Sequence, residues 1–291
     1  MSSVHRTDQP ITSYRHAPTR SVNAAGASFA YRELGPKGGV PVVFLVHLAA
    51  NLDNWDPAII DPVAENHRVI AIDYRGVGDS NGKAPFTVEE MAEDIAAVIT
   101  ALGHRKVDIL GFSLGGMVAQ ALVLKHPELV RKLILTGTGP SGGKGIDKVA
   151  GVTFYDMLRA TLTRKDPKEF LFFNRDDTGR RAAREFVERI NERTQDRDKA
   201  VTVTVLQRQL KAVKGWGRAT SANLSRISQP TLIANGDHDR MVPTVLSEDL
   251  HRRIPGSQLI IYPNSGHGGI FQYHNAFVPE VLRFLADGDP R

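Results

Sequence analysis

A short β-compatible run, Val107 to Leu110, passes directly into Gly111-Phe112-Ser113-Leu114-Gly115-Gly116 and then into an apolar helical pattern, Met117 to Leu124. Strand, sharp turn and helix with a serine at the apex is the pattern of a nucleophile elbow. Such a turn forces the serine into a strained backbone conformation and leaves no room for side chains beside it. Gly111, Gly115 and Gly116 meet that demand. A second copy of the pattern, Gly139-Pro140-Ser141-Gly142-Gly143, also follows a strand-like run, Lys132 to Thr136, but leads into Lys144-Gly145-Ile146 instead of a helix start. It reads as a glycine-rich loop. The same loop spells Gly137-x-Gly139-x-x-Gly142, a dinucleotide fingerprint lacking the helix that should open on its last glycine to hold a pyrophosphate. That argues against a nicotinamide enzyme.

The rest of the chain supplies the sheet such an elbow needs. Arg20 to Asn23 and Ala27 to Glu33 alternate around Gly26, as a β-hairpin does. Val42 to Val46 and Val69 to Asp73 are continuous apolar runs, too hydrophobic for half-exposed strands and typical of the centre of a parallel sheet. Thr87, with Glu90 three residues later, caps a helix running through Ala101. Leu133 to Leu135, Thr231 to Ala234 and Leu259 to Tyr262 give further strands. Strands alternating with helices predict an α/β fold with a mostly parallel central sheet and helices on both faces. Residues 141–222 break the rhythm, being longer, basic and helical in pattern. They read as an insertion, so the expected division is a core of residues 1–140 and 223–291 and a helical insertion of 141–222.

Composition limits the chemistry. With no cysteine in 291 residues, disulfides, thiolate metal sites and cysteine nucleophiles are removed together. No stretch is apolar enough for a membrane helix, and Met1 to Arg20 lacks the apolar centre of a secretory signal, so the expected location is cytoplasmic. The net charge of +5 is concentrated, since residues 141–222 hold 18 Lys+Arg against 11 Asp+Glu. These charges alternate in sign along Arg180 to Arg189, which is the pattern of a solvated helix face and not of a nucleic-acid surface.

A serine at neutral pH needs a base within hydrogen-bond reach, an acid to orient that base, and donors for the developing oxyanion. In an open α/β sheet these converge beyond the carboxyl ends of the strands. His267, in the loop Asn264 to Gly269 after the last strand, satisfies that placement. His274 belongs to the final helix. His5, His16, His67, His104, His126 and His251 fall in the leader, in connections or at helix ends, and His47 at a strand end reads as structural. For the acid, the strand ending at Ala234 delivers both Asp237 and Asp239, while the preceding strand ends without a carboxylate.

The chain resembles the α/β-hydrolase superfamily over about Ser21 to Asp287. Asp73 to Ser80, Gly111 to Gly116, Gly236 to Pro243 and Ser265-Gly266-His267 are similar to four of its motifs in the right order. The resemblance implies Ser113 as nucleophile, His267 as base, Asp239 as acid and Leu114 as one oxyanion N–H donor. It implies that residues 141–222 form a cap above the pocket. Ala49 stands where the family's second oxyanion donor sits, although the chain has His47-Leu48-Ala49 where the family usually has His-Gly. Turn chemistry also favours Asp239. Asn235-Gly236 offers a tight reversal that leaves Asp237 free for the turn's own backbone, and Met241-Val242-Pro243 anchors Asp239 from behind.

A serine at the elbow, where epoxide hydrolases and haloalkane dehalogenases carry aspartate, disfavours those two reactions. The leading expectation is a serine esterase acting on a small carboxylic ester, thioester or lactone. Alternatives are carbon–carbon bond hydrolysis or peroxide chemistry on the same triad, and a receptor-like binder. The expected partner is a small-molecule substrate, with no nucleic acid, membrane, metal or cofactor, and a homodimer is compatible with this reading. The aromatic residues Phe154, Tyr155, Phe170, Phe172, Phe173 and Trp216 are candidates for the pocket wall or for the insertion's own core.

Overall fold

The computed structural model describes residues 13–287, so residues 1–12 of the polar leader, His5 among them, lie outside the description. The chain forms one eight-stranded sheet: β1 (Thr19–Ala24), β2 (Ala27–Leu34), β3 (Val42–Leu45), β4 (Val69–Ile72), β5 (Val107–Phe112), β6 (Val130–Thr136), β7 (Thr231–Gly236) and β8 (Gln258–Tyr262). Their spatial order is β1-β2-β4-β3-β5-β6-β7-β8. The hairpin β1–β2 is antiparallel and joins β4 in antiparallel register, whereas β3 to β8 are all parallel. Every residue of β3, β4, β5 and β7 is buried, which is why their sequences run apolar without alternation.

Six helices connect these strands or follow them: α1 (Pro57–Ala64), α2 (Val88–Ala101), α3 (Leu114–Lys125), α8 (Val245–Arg253), α9 (Gly269–Gln272) and α10 (His274–Ala286). The chain leaves β3 toward β4 on one side, and all later strands add on the other. Right-handed crossovers therefore put α1 and α2 on opposite faces. α1 packs on α10, and α2 on α3. The reversal of direction lies between β3 and β5, where the loops after the two strands diverge and open a crevice. One buried cation ties the sheet to the last helix: Lys132 of β6 donates through Nζ to the carbonyls of Phe284, Leu285 and Asp287.

Between β6 and β7 the chain inserts four helices, α4 (Val149–Thr163), α5 (Pro167–Phe172), α6 (Asp177–Ile190) and α7 (Val203–Arg218). The basic charge noted there is divided between solvent and anchorage. Arg180, Arg181 and Arg184 are exposed, while Arg189 makes a two-pronged contact at 2.8 and 2.7 Å with the buried carboxylate of Asp56. Arg197 reaches Asp53 at 3.2 Å, and Asp53 also binds the fully buried Arg32 at 2.7 Å. The carboxyls of Asp198 from the insertion and Asp73 from the end of β4 converge on Gly78, where an added Cβ would displace them. Burial, and then Asp198 beside it, raises the Asp73 carboxyl well above its ordinary range. Among the described residues, no helix is long and apolar enough to cross a membrane.

Candidate active site

Ser113 sits between β5 and α3 with φ 56° and ψ −115°, a conformation costly for any residue but glycine. The elbow is held by backbone. Ser113 N–H donates to Thr136 O at 2.9 Å, and Gly116 and Met117 N–H close the first turn of α3 on Ser113 O. A Cβ at Gly115 would overlap the Leu45 carbonyl, and one at Gly116 would lie 2.6 Å from Thr138 Cγ2. The second serine pattern is a loop, with Ser141 Oγ accepting from Ala222 N–H at 3.0 Å, not an elbow.

His267 and Asp239 meet. Nδ1 of His267 donates to Asp239 Oδ2 at 2.7 Å, and both residues are buried. The other carboxylate oxygen accepts from Met241 N–H at 2.8 Å and Val242 N–H at 2.9 Å, so the backbone fixes the carboxylate before the imidazole meets it. Asn235 and Gly236 belong to β7 and do not form the reversal expected of them; the chain turns at Asp237-His238. Exposed Asp237 accepts from the N–H groups of Asn264 (2.9 Å) and Ser265 (3.0 Å), and so braces the loop that carries His267. Burial pushes its carboxyl up, but His238 and these two N–H groups outweigh that and leave it below the ordinary value. His274 opens α10, as expected.

Ser113 and His267 line the same cavity of about 270 Å³. His47, Leu48 and Ala49 line it beside them, Met241 joins from the loop after β7, and the insertion supplies most of the remaining wall, including Thr153, Met157, Lys168, Leu171, Phe172 and Leu206. Of the six aromatics considered for this wall, only Phe172 lines it; Phe154 and Tyr155 are exposed, and Trp216 is buried with Nε1 donating to Gly139 O. The wall is instead mostly aliphatic, with Lys168, paired to Asp166 at 3.0 Å, its only Lys or Arg among the described residues. Phe112 and Phe172 pack around the His267 ring at centroid distances of 4.9 and 5.6 Å, which shields it from bulk water.

His47 packs on aromatic rings. Its ring is wedged edge-on against Phe112 and Phe172, and burial drives its pKa down to about 3, so it is neutral. Its Nδ1 contacts Leu48 O at 2.8 Å. Of the two expected oxyanion donors, Leu114 N–H is the first of α3 and has no acceptor among the described residues. First-turn amides point out of a helix unpaired, so this one is open to a ligand. Ala49, at φ 57°, instead donates its N–H to Gln209 Oε1 at 2.8 Å. Gln209 is absent from the sequence reading. Its signal is a polar residue on the apolar stripe Val205, Leu206, Leu210 and Val213 of α7, all buried.

A sequence model of the alpha/beta hydrolase fold matches residues 40–272. A pimeloyl-[acyl-carrier protein] methyl ester esterase of Neisseria meningitidis serogroup B is 30% identical over 86% of this chain and 94% of its own length. A 2-hydroxy-6-oxononadienedioate/2-hydroxy-6-oxononatrienedioate hydrolase of Klebsiella pneumoniae is 32% identical over 78% of this chain and 80% of its own length. Among solved structures, an alpha/beta hydrolase fold protein from Chitinophaga pinensis superposes with a TM-score of 0.88 at 35% identity, covering 94% of this chain and 99% of that one.

Proposed function

The chain belongs to the α/β-hydrolase family of enzymes, and from that premise we propose that it is a serine hydrolase of a small carboxylic ester, thioester or lactone, working through Ser113, His267 and Asp239. The observation that carries the reading is the 2.7 Å contact of His267 Nδ1 with a backbone-anchored Asp239, set in a cavity whose wall includes an elbow serine. Asp239 holds one imidazole tautomer, leaving Nε2 as the base. Ser113 Oγ attacks the carbonyl carbon as its proton passes to Nε2. The carbonyl oxygen becomes an oxyanion at Leu114 N–H, and the leaving alkoxide or thiolate takes the proton from Nε2. Water then repeats the sequence on the acyl-serine and releases the acid.

Residues 141–222 act as the cap in this reading, because α4, α5 and α7 all contribute to the cavity wall. The mostly aliphatic lining favours an uncharged acyl group. The methyl ester named for the Neisseria relative supports ester cleavage, and the Klebsiella relative supports carbon–carbon hydrolysis on the same residues as the second reading. Incubation with a fluorophosphonate probe and with p-nitrophenyl acetate tests both. An esterase labels on Ser113 and turns the ester over; labelling with negligible turnover moves the assignment to the second reading; neither signal removes the hydrolase proposal.

A further inference from the structure

The peptide between Leu48 and Ala49 is clamped at both ends by side chains. Its carbonyl faces His47 Nδ1 at 2.8 Å, and because a carbonyl can only accept, Nδ1 of this neutral ring carries the proton. Its amide donates to Gln209 Oε1 at 2.8 Å, which fixes the orientation of that side-chain amide by the same logic. Gln209 lies on α7 one turn beyond the cavity-lining Leu206 and is fully buried, and its Nε2 has no partner among the described residues.

An oxyanion must stand about 2.7–3.1 Å from the amide that stabilises it. Gln209 Oε1 already occupies that shell of Ala49. One N–H cannot serve both acceptors at full strength, so the resting protein offers an open donor at Leu114 and an engaged donor at Ala49. We propose that Gln209 gates the oxyanion hole: its side-chain amide holds Ala49 N–H in the resting enzyme and must turn aside before the reacting carbonyl oxygen can take that second hydrogen bond. The proposal rests on the Ser113–His267–Asp239 reading above. Two features support a gate over a brace. His47 keeps the peptide aimed from its carbonyl end, so the donor stays in place when Gln209 leaves. The closed state also buries an unpaired amide N–H group, a costly arrangement that leaves it poised to open. Gln209 is thus a positioning residue that acts through Ala49.

The test compares Gln209→Leu and Gln209→Met, which remove the acceptor at similar volume, with Gln209→Glu, which keeps an acceptor and adds negative charge. The readouts are kcat and KM on p-nitrophenyl butyrate and the inhibition constant of phenylboronic acid, whose serine adduct places an oxygen in the hole; thermal melts establish folding. Freeing a donor used in the transition state raises kcat by about three- to tenfold for the Leu and Met variants, from the net worth of one neutral hydrogen bond. Boronate inhibition tightens by a similar factor, and KM stays close to wild type. Gln209→Glu lowers kcat and weakens boronate binding. A folded Leu or Met variant with unchanged or reduced kcat and unchanged boronate affinity overturns the gate. If Leu fails to fold, Met decides by the same criterion. Wild-type turnover without fluorophosphonate labelling of Ser113 overturns the triad reading instead, and that result is obtained without any Gln209 variant.

Discussion

Two loops at neighbouring strand ends carry the proposed reaction, and they are built by opposite means. The elbow after β5 and the oxyanion loop after β3 each place a non-glycine residue in left-handed backbone, Ser113 at φ 56° and Ala49 at φ 57°. In the elbow the strain is held by contacts within the sheet and by glycines at Gly111, Gly115 and Gly116. The oxyanion loop depends on side chains from far along the sequence. Gln209, 160 positions away, takes Ala49 N–H, and Asn51 Nδ2 donates to Lys199 O across 148 positions. A locally built loop keeps its shape whatever the insertion does, whereas a remotely built one changes when the insertion moves.

The largest expected effect isolates the local loop. Ser113→Ala changes no backbone contact, so the protein should melt normally while kcat falls by about 10⁶, the scale seen for nucleophile removal in a serine triad. Retained fluorophosphonate labelling in that variant would disprove the elbow assignment. Next comes the proposed acid, Asp239, which like the elbow is fixed by nearby backbone. Asp239→Asn should reduce kcat by about 10³–10⁴, as an amide in the acid position does elsewhere. Asp237→Asn should lose only about tenfold, through a loosened Asn264–Ser265 loop. The reverse ranking, with both variants folded, transfers the role to Asp237.

Stability separates the two loops further. At Gly115 an added methyl group meets the Leu45 carbonyl, which is part of the sheet and cannot yield. Gly115→Ala should therefore cost about 3 kcal/mol, read as a fall of about 6–12 °C in Tm. A smaller effect tests the remote anchorage. The Asp73 carboxyl is raised by burial and by Asp198. Its stabilising contribution is therefore complete below the ordinary carboxylate value of 3.8 and is lost as pH rises through the elevated value. Asp198→Asn should reduce the loss that accompanies this rise in pH by about 2–4 °C in Tm, and a pH profile parallel to wild type would count against the pair. Smallest of all, Ala49→Gly should shift stability by no more than about 0.5 kcal/mol in chemical unfolding, since relief of left-handed strain offsets the added freedom of the unfolded chain.

The same contrast explains what could be read from the sequence. The elbow, the buried strands and the place of His267 in the loop after the last strand were legible because each is signalled within a few residues, by glycines around a serine or by an unbroken apolar run ending in a loop. Between Asp237 and Asp239 the residues alone left a choice, and the expected Asn235-Gly236 reversal proved to be strand. The support from Met241 and Val242 was legible in outline. Gln209 was not, because nothing near it in sequence says that α7 crosses the loop after β3. The aromatic residues, left open between the cavity wall and the insertion's own core, divided for a related reason. Large apolar side chains bury wherever space allows, and Trp216 and Phe173 found it away from the cavity, while aliphatic Met157, Leu171 and Leu206 form the wall. Helical spacing marks which residues share a face but not which face looks onto the reacting atoms.

Lys132 also has a consequence in time. It lies on a central strand, 4% exposed, and its ammonium is satisfied by carbonyls 152 to 155 residues further along the chain. Synthesis proceeds at about 5–20 residues per second, so β6 emerges from the ribosome roughly eight to thirty seconds before its partners exist. Until then the three carbonyl acceptors of that ammonium are missing. The hydrogen bonds that tie β6 to the end of α10 are therefore among the last that the chain can make.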